Sequence, residues 1–394
     1  MRTSSFLLVF TCTSGCLATG SQMAFPARDW ERAAPEAQGV SSEKLAAAVR
    51  YLESHAPRDG IQELVIIRHG RMIHAGPRID HMHGIWSCTK SFTSTVLGLL
   101  IDDGKCALDT RVKEILPAMA RDYPAVTLRH FATMTSGYRA QGDEPQGSYT
   151  HGPSRTPFTP GPPLFQPPGS RYAYWDSAMN QFANALTRIA GEPIVELFRR
   201  RIAGPIGMDP KEWNWGDFGL IDGIEVNGGS GNSNKHIFVS ARQMARFGYL
   251  FLNRGQWNGR QLISAEWVDQ ATRTQVPAAV PLGHAESGID GPGIYGFNWW
   301  TNGIRPEGQR KWEGIPPGAF SASGHNNNDM FVIPSWGLVV VRLGLDQTGE
   351  GGFAISDNTY AEFLRLLGES LSDVAQAPVP NSSPKGMGRA RQPR

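Results

Sequence analysis

An excess of charge of one sign is missing from this chain. Across 394 residues, 38 Lys and Arg face 36 Asp and Glu, a net +2. Four of the positive residues (Lys385, Arg389, Arg391 and Arg394) lie in a terminal stretch without an acid, so the remainder has no positive excess. Nucleic-acid binding rests on a concentrated basic face, and none is offered. Long hydrophobic runs are missing too: no segment beyond the N-terminus reaches the ~18 uninterrupted apolar residues of a membrane span. Internal repeats and heptads are absent. Cysteine is scarce, four in all, and two of them sit within the first 16 residues. The other two, Cys88 and Cys106, flank a stretch that reads as helix. At about 1.5 Å of rise per residue that places them roughly 25 Å apart, beyond disulfide reach, so both are expected to be free, buried thiols.

What is present begins with an export signature. Arg2 precedes an apolar start, Phe6-Leu7-Leu8-Val9-Phe10, and Ala18-Thr19-Gly20 fits a cleavage site. Residues 1–22 therefore read as a signal peptide, with Cys16, after Thr13-Ser14-Gly15, as a rival point of lipid anchoring. Residues 26–374 read as the folded domain. Residues 375–394, rich in Pro, Ser, Gly and Arg, read as a disordered basic tail. With 40% hydrophobic residues the chain can bury a large core.

Ile61 to Gly76 reads as a β-hairpin, with Leu64-Val65-Ile66-Ile67 as a buried strand and His69-Gly70 as the turn. Ser87 to about Asp103 reads as a helix, with Phe92, Val96 and Leu100 at four-residue spacing and Gly104 placed to end it. Tyr138 to Gly169 has no periodicity and is dense in Gly and Pro, the mark of a functional or mobile loop. Helices are expected over Asn180 to Ile202, Ser240 to Asn253 and Tyr360 to Leu371. Strands are expected at Met330 to Ile333 and Leu338 to Val341. With strands at both ends and helix between, the expected architecture is an α/β domain. Its sheet is built from both ends, and a mainly helical region over about 105–220 is inserted.

A serine hydroxyl needs help to become a nucleophile. Ser87-Cys88-Thr89-Lys90 supplies one route, because residues at i and i+3 share a helix face and the amine can reach the hydroxyl. The spacing alone is weak, since Ser41 to Lys44 and Ser382 to Lys385 repeat it. The first of these reads as a surface helix capped by Ser41, and the second lies in the tail. The apolar flank of Ser87 (Ile85, Trp86 and Phe92) separates it from those two. A histidine cluster is the other chemical option. His74, His81 and His83 are close in sequence, but they lack helical i, i+4 spacing and Cys partners, so neither metal nor cofactor is expected.

Ile85-Trp86-Ser87-Cys88-Thr89-Lys90-Ser91-Phe92 resembles the nucleophile segment of the penicillin-recognising, β-lactamase-like serine hydrolases. That family holds class C β-lactamases, D-alanyl-D-alanine carboxypeptidases, family VIII esterases and 6-aminohexanoate-dimer hydrolase. Further stretches agree in order: Leu108-Asp109 through Leu116-Pro117, Thr127 to Gly137, Ile202 to Met208, and Ser240 to Gly248 with Trp257-Asn258-Gly259. The likeness runs from about residue 30 to 370. It implies a β-lactamase-like fold, an antiparallel sheet flanked by helices, with Ser87 as nucleophile and Lys90 as its partner.

The resemblance also implies a catalytic tyrosine after a Pro-Gly. Pro168-Gly169-Ser170-Arg171-Tyr172-Ala173-Tyr174-Trp175-Asp176 places Tyr174 there; the alternative is a buried tyrosine with a satisfied hydroxyl. Asp176 stands where β-lactamases carry Asn. An ionised carboxylate only accepts hydrogen bonds, and beside Lys90 it favours the ammonium. The family's Lys-Thr-Gly strand lacks its lysine. Counting back from Val332-Ile333-Pro334 puts Ala319-Phe320-Ser321 in its place, and Ala322 would then donate its N–H to an oxyanion hole shared with Ser87. His325 either lines the cleft or belongs to a tight polar turn, and the run Asn326 to Asn328 has no sequence rationale. The expected substrate is a small ester or non-peptide amide. A peptidoglycan D-amino-acid peptidase, a weak β-lactamase and a non-catalytic binder of the same fold remain as alternatives.

Overall fold

The computed structural model describes residues 23–372, apart from 58, 144–155, 232–233, 284–288 and 346–354. The signal-peptide and tail readings, Cys16 and the Ser382 motif lie outside the described residues.

The expected hairpin forms as β1 (Glu63–Arg68) and β2 (Arg71–Ala75). His69 and Gly70 carry φ of 47° and 83° at its turn, both left-handed, as a two-residue hairpin loop requires. The hairpin is one end of a six-stranded sheet. Its order is Trp300–Thr301, Phe320–Gly324, Asn328–Ile333, Leu338–Leu343, β1, β2, and every neighbouring pair is antiparallel. Val65 lies opposite Val341, which joins the two ends of the chain in one sheet.

Side chains alternate across a strand, and both faces of this sheet are covered. Leu64, Ile66, Val340 and Leu338 pack with Leu45, Leu52, Phe363 and Leu364. These last four belong to helix α1 (Ser42–His55) and the closing helix Asp357–Glu369, which also pack on each other. Val65, Ile67, Val339 and Val341 face a larger core with Phe92 and Phe247, where the helix Ala241–Leu252 crosses the sheet. Double coverage is why β1 reads as an unbroken apolar run.

A second, three-stranded sheet is decisive for the site. It pairs β3 (His83–Gly84) with Ile237–Val239, and that strand with Trp213–Trp215. Two residues past β3 the chain turns through Trp86–Cys88 and enters α2 (Thr89–Asp102). Ser87, expected to open the helix, therefore sits in the turn before it, two residues short of the observed start at Thr89. From Thr89 to Leu100 every residue of α2 is buried. Its hydroxyls are satisfied locally: Thr93 and Thr95 donate to carbonyls one turn back, while Ser91 and Ser94 donate to Asn298 and Phe297.

The helix expected over Asn180 to Ile202 is two pieces. The first, Asp176–Ala190, stops at Gly191 with φ 75°, and Pro193 precedes the second, Ile194–Phe198. Glycine just past a helix and proline just before the next are the usual punctuation. The α1 cap is as read, with Ser41 accepting from the Lys44 N–H. Cys88 is free and buried; Cys106 is free and only partly buried. Among the described residues no helix is long and apolar enough to cross a membrane.

Candidate active site

Four elements converge on Ser87. The first is its own turn, where Trp86 holds φ at 51°, a conformation costly for an L side chain and common at functional turns. Trp86 is kept there by ring contacts with His236 at 5.1 Å and His325 at 5.0 Å. His236 is itself sandwiched against Phe238 at 4.9 Å, and burial pushes its pKa down to about 4, so it packs as a neutral ring.

The second element is the first turn of α2. The Lys90 Nζ donates to Ser87 Oγ at 2.7 Å. The third is the start of the helix Asp176–Ala190, whose Asp176 accepts from the same Nζ at 2.7 Å. Both partners of this ion pair are buried, with side chains 1% and 6% exposed. The tyrosine segment leads into this helix. The Lys90 Nζ stands 4.4 Å from the centroid of the Tyr174 ring, and the Ser87 hydroxyl bears on the Tyr174 phenol, opposing the upward push of burial. Burial, reinforced by the charge of Asp176, drives the Tyr174 hydroxyl well above its ordinary value, so it is a phenol rather than a phenolate. Tyr172, two places earlier, is buried edge-on against Tyr295. The helix start is pinned by Asp143, which accepts from Trp175 Nε1 at 2.8 Å and from Ser177 Oγ at 2.7 Å.

The fourth element is the strand Phe320–Gly324, and here the sequence reading needs correction. Ala319 accepts from the N–H of Asn302, and Ser321 pairs with Trp300. Odd-numbered residues of this strand thus turn their backbone groups to the edge shared with Trp300–Thr301. Even-numbered residues turn theirs inward, with Ala322 opposite Met330. The Ala322 N–H is spent within the sheet, and Ala322 does not line the cavity. The residues beside the nucleophile are Ser323-Gly324-His325, farther along the strand than the counted position. A Cβ on Gly324 would fall 2.3 Å from the Ile85 carbonyl and 3.1 Å from the Ser87 nitrogen. Glycine is what allows the strand to approach Ser87 this closely. Gly231 does the same from the opposite side, with a notional Cβ 2.7 Å from that nitrogen.

His325 resolves as both of the alternatives left open: it lines the cavity and opens the turn His325–Asn327. The asparagine run also acquires a reason. Asn326 and Asn327 have φ of 64° and 56°, and Asn tolerates the left-handed region better than other non-glycine residues. The amide of Asn327 bonds both backbone groups of Ile355, and that of Asn328 bonds the His325 carbonyl and the Gly344 N–H.

Ser87, Tyr174, Asp176 and His325 open into a cavity of about 680 Å³ walled by Trp86, Trp300, Trp312, Phe331 and Tyr360. Sequence reasoning missed its far wall. Asp357 accepts from Arg305 at 2.7 Å and from Lys311 at 2.7 and 2.8 Å, and Lys311 also sits 4.9 Å from the Trp300 ring and 5.3 Å from the Trp312 ring. Burial pulls the Lys311 pKa down while Asp357 opposes it. No local pattern marks these residues, because their partners lie some 50 positions apart.

Asp329 lies in the same wall. Burial pushes its carboxyl up to about 6, against hydrogen bonds from Ser323 and Tyr360 and the charges of Lys311 and Arg342. The native state thus favours the protonated acid. Below pH 3.8, where folded and unfolded chains both carry the proton, burial costs nothing. As pH rises through about 6 the destabilisation becomes complete. Asp329→Asn, which resembles the neutral acid, is therefore expected to be more stable than the parent by about 3 kcal/mol at pH 7.5, with the difference vanishing near pH 3.5. Urea unfolding of both proteins at the two pH values checks this; a pH-independent difference would contradict it.

The remaining histidines divide. His74 stays apart, whereas His81 and His83 come together with Glu63 outside the cavity.

With this geometry the likeness to known proteins can be placed. A family model for β-lactamase matches residues 45–361. The chain belongs to the β-lactamase family and has its fold. A penicillin-binding protein homologue from Caulobacter crescentus superimposes with a TM-score of 0.60 at 18% identity, covering 84% of this chain and 99% of that one. A family VIII carboxylesterase gives a TM-score of 0.60 at 16% identity, with 84% and 99% covered. The D-alanyl-D-alanine-carboxypeptidase/endopeptidase AmpH of Escherichia coli is 32% identical over 144 residues, 34% of this chain and 37% of that protein. The match therefore spans little over a third of that curated relative.

Proposed function

We propose that this protein is an exported serine hydrolase that cleaves small esters or non-peptide amides through an acyl group on Ser87. The carrying observation is the 2.7 Å contact of Lys90 Nζ with Ser87 Oγ, in a turn that opens on the cavity. Lys90, paired with Asp176, acts as an ammonium that stabilises negative charge developing on Oγ. Tyr174, a phenol that lines the cavity with Ser87, relays the proton. As Oγ bonds to the substrate carbonyl carbon, the Ser87 proton passes to the Tyr174 oxygen, and the phenol proton goes to the departing alkoxide or amine. Water then attacks the acyl-enzyme, and its proton returns to Ser87 by the same route. The oxyanion is assigned to the N–H groups of Ser87 and His325, because Gly324 packs against the Ser87 nitrogen and His325 follows it at the cavity, whereas Ala322 pairs with Met330 inside the sheet.

Substrate choice follows from charge. Among the described residues lining the cavity, Arg305 and Lys311 are both tied to Asp357, and no lysine stands on the strand beside Ser87. A β-lactam carboxylate would find no cation on that strand. Asp176 also lacks the amide donor that Asn supplies. Short p-nitrophenyl esters are expected to be hydrolysed at least about 100-fold faster, in kcat/KM, than a chromogenic cephalosporin, with Ser87→Ala as the blank. Cephalosporin turnover near the diffusion ceiling of about 10⁸ M⁻¹s⁻¹ would overturn this choice. The local likeness to AmpH favours one second reading, a D-amino-acid peptidase, and D-Ala-D-Ala peptides in the same screen test it. Export rests on residues 1–22 alone, and localisation of the full chain to the medium, periplasm or cytoplasm decides it.

A further inference from the structure

We propose that Glu63, His81 and His83 form a divalent-metal site of the zinc type. It clamps the central sheet to the strand that delivers the nucleophile turn. Glu63 opens β1 in the six-stranded sheet, and His83 opens β3 in the small one. The His83 Nε2 lies 2.7 Å from Glu63 Oε2, and the His81 Nδ1 lies 2.8 Å from Glu63 Oε1. One candidate ligand atom from each residue falls within 4.8 Å of the others.

The two imidazoles meet without any helix: His81 closes a turn by donating its N–H to the Arg78 carbonyl, His83 opens β3, and their ring centroids lie 5.3 Å apart. The donor set, two nitrogens and a carboxylate, suits Zn²⁺ and leaves a fourth position for water. That position is reachable, because His81 is 36% exposed while Glu63 and His83 are 3% and 6% exposed.

His83 supplies the independent observation. Its ring is buried between two acceptors, with Nδ1 3.1 Å from the Gly84 carbonyl and Nε2 2.7 Å from the carboxylate. A neutral imidazole has one N–H. If Nδ1 donates to the carbonyl, Nε2 faces the carboxylate either as the second N–H of an imidazolium or as a lone pair, and a metal ion between the two satisfies the second arrangement. Histidine metal ligands are held in this way, one nitrogen on the metal and the other donating to a carbonyl or carboxylate. Ligands at about 2.0–2.2 Å around a tetrahedral ion leave donor atoms roughly 3.3 Å apart. The observed gaps need to open by only about half an ångström. The Arg78 Nη2, 3.2 Å from the His81 Nδ1, belongs to an exposed side chain that can swing into solvent.

The test uses the full chain, dialysed against a chelator and then titrated with Zn²⁺ in competition with a chromophoric chelator. The expected result is one equivalent bound, with a rise in Tm. Both should be lost, by at least tenfold in affinity, in His81→Ala and in the isosteric Glu63→Gln. His81 is partly exposed, so its truncation leaves the core intact, and circular dichroism of each variant checks folding directly. Co²⁺ in place of Zn²⁺ should give visible absorption typical of tetrahedral N/O ligation in the parent only. Absence of binding by the folded parent overturns the proposal and leaves a proton-bridged histidine–carboxylate cluster. Equal binding by parent and variants overturns it as well, since the ligands would then lie elsewhere.

Discussion

Ser87→Ala is expected to lower ester hydrolysis by at least about 10³-fold while leaving the fold unchanged. The side chain is small and only partly buried, and its loss removes a single hydrogen-bonding oxygen from the Lys90 ammonium, which keeps Asp176 at 2.7 Å. Stability should therefore move little, and a large loss of rate can be assigned to chemistry. Ser41 repeats the spacing three residues before a helix-borne lysine, yet it caps α1 at the surface. Ser41→Ala should cost about 1 kcal/mol of stability and no activity. The pair of variants, read by kcat and by thermal unfolding, separates nucleophile from cap. Full turnover by Ser87→Ala would remove the basis of the mechanism.

Gly324→Ala should also be severe, with a fall of about 10²- to 10³-fold in kcat, the range seen when an oxyanion donor is lost. The new methyl would lie 2.3 Å from the Ile85 carbonyl, a contact that backbone on both sides must relieve. Either the strand or the nucleophile turn retreats, and the His325 N–H leaves the oxyanion position. Ala322→Gly, two residues away and facing into the sheet, should by contrast keep kcat within about threefold and cost about 1 kcal/mol of stability through strand weakening. Equal effects of the two substitutions on kcat would mean that the edge of this strand does not serve the oxyanion.

The parts of the site legible in the sequence are those set by local geometry. Ser87 and Lys90 are one helical turn apart, and Tyr174 and Asp176 straddle a helix start, so their mutual placement depends on few torsions. The hairpin, the Ser41 cap and the strands on either side of Pro334 are equally local, and all are found where expected. Errors enter where position depends on a count through irregular chain. The His325–Asn327 turn contains two left-handed asparagines, and counting back across it as if it were regular strand put Ala322 where His325 stands. The helix from Asn180 was carried past Gly191 because the apolar spacing resumes beyond Pro193. Partners distant in sequence gave no signal. Asp357 with Lys311, Asp143 with Trp175, and Glu63 with the two histidines are each brought together by tertiary packing of segments distant in the chain. The two histidines meet across the turn that leads into β3, where helical i, i+4 spacing does not apply.

The central claim, an acyl-enzyme on Ser87, is tested most directly by trapping it. The protein is mixed with a slow ester, quenched in acid within the first turnover, digested and read by mass spectrometry. The account predicts the acyl mass on the peptide carrying Ser87, absent from Ser87→Ala. Product formation with no acylated peptide, or with the acyl group on another residue, would contradict it.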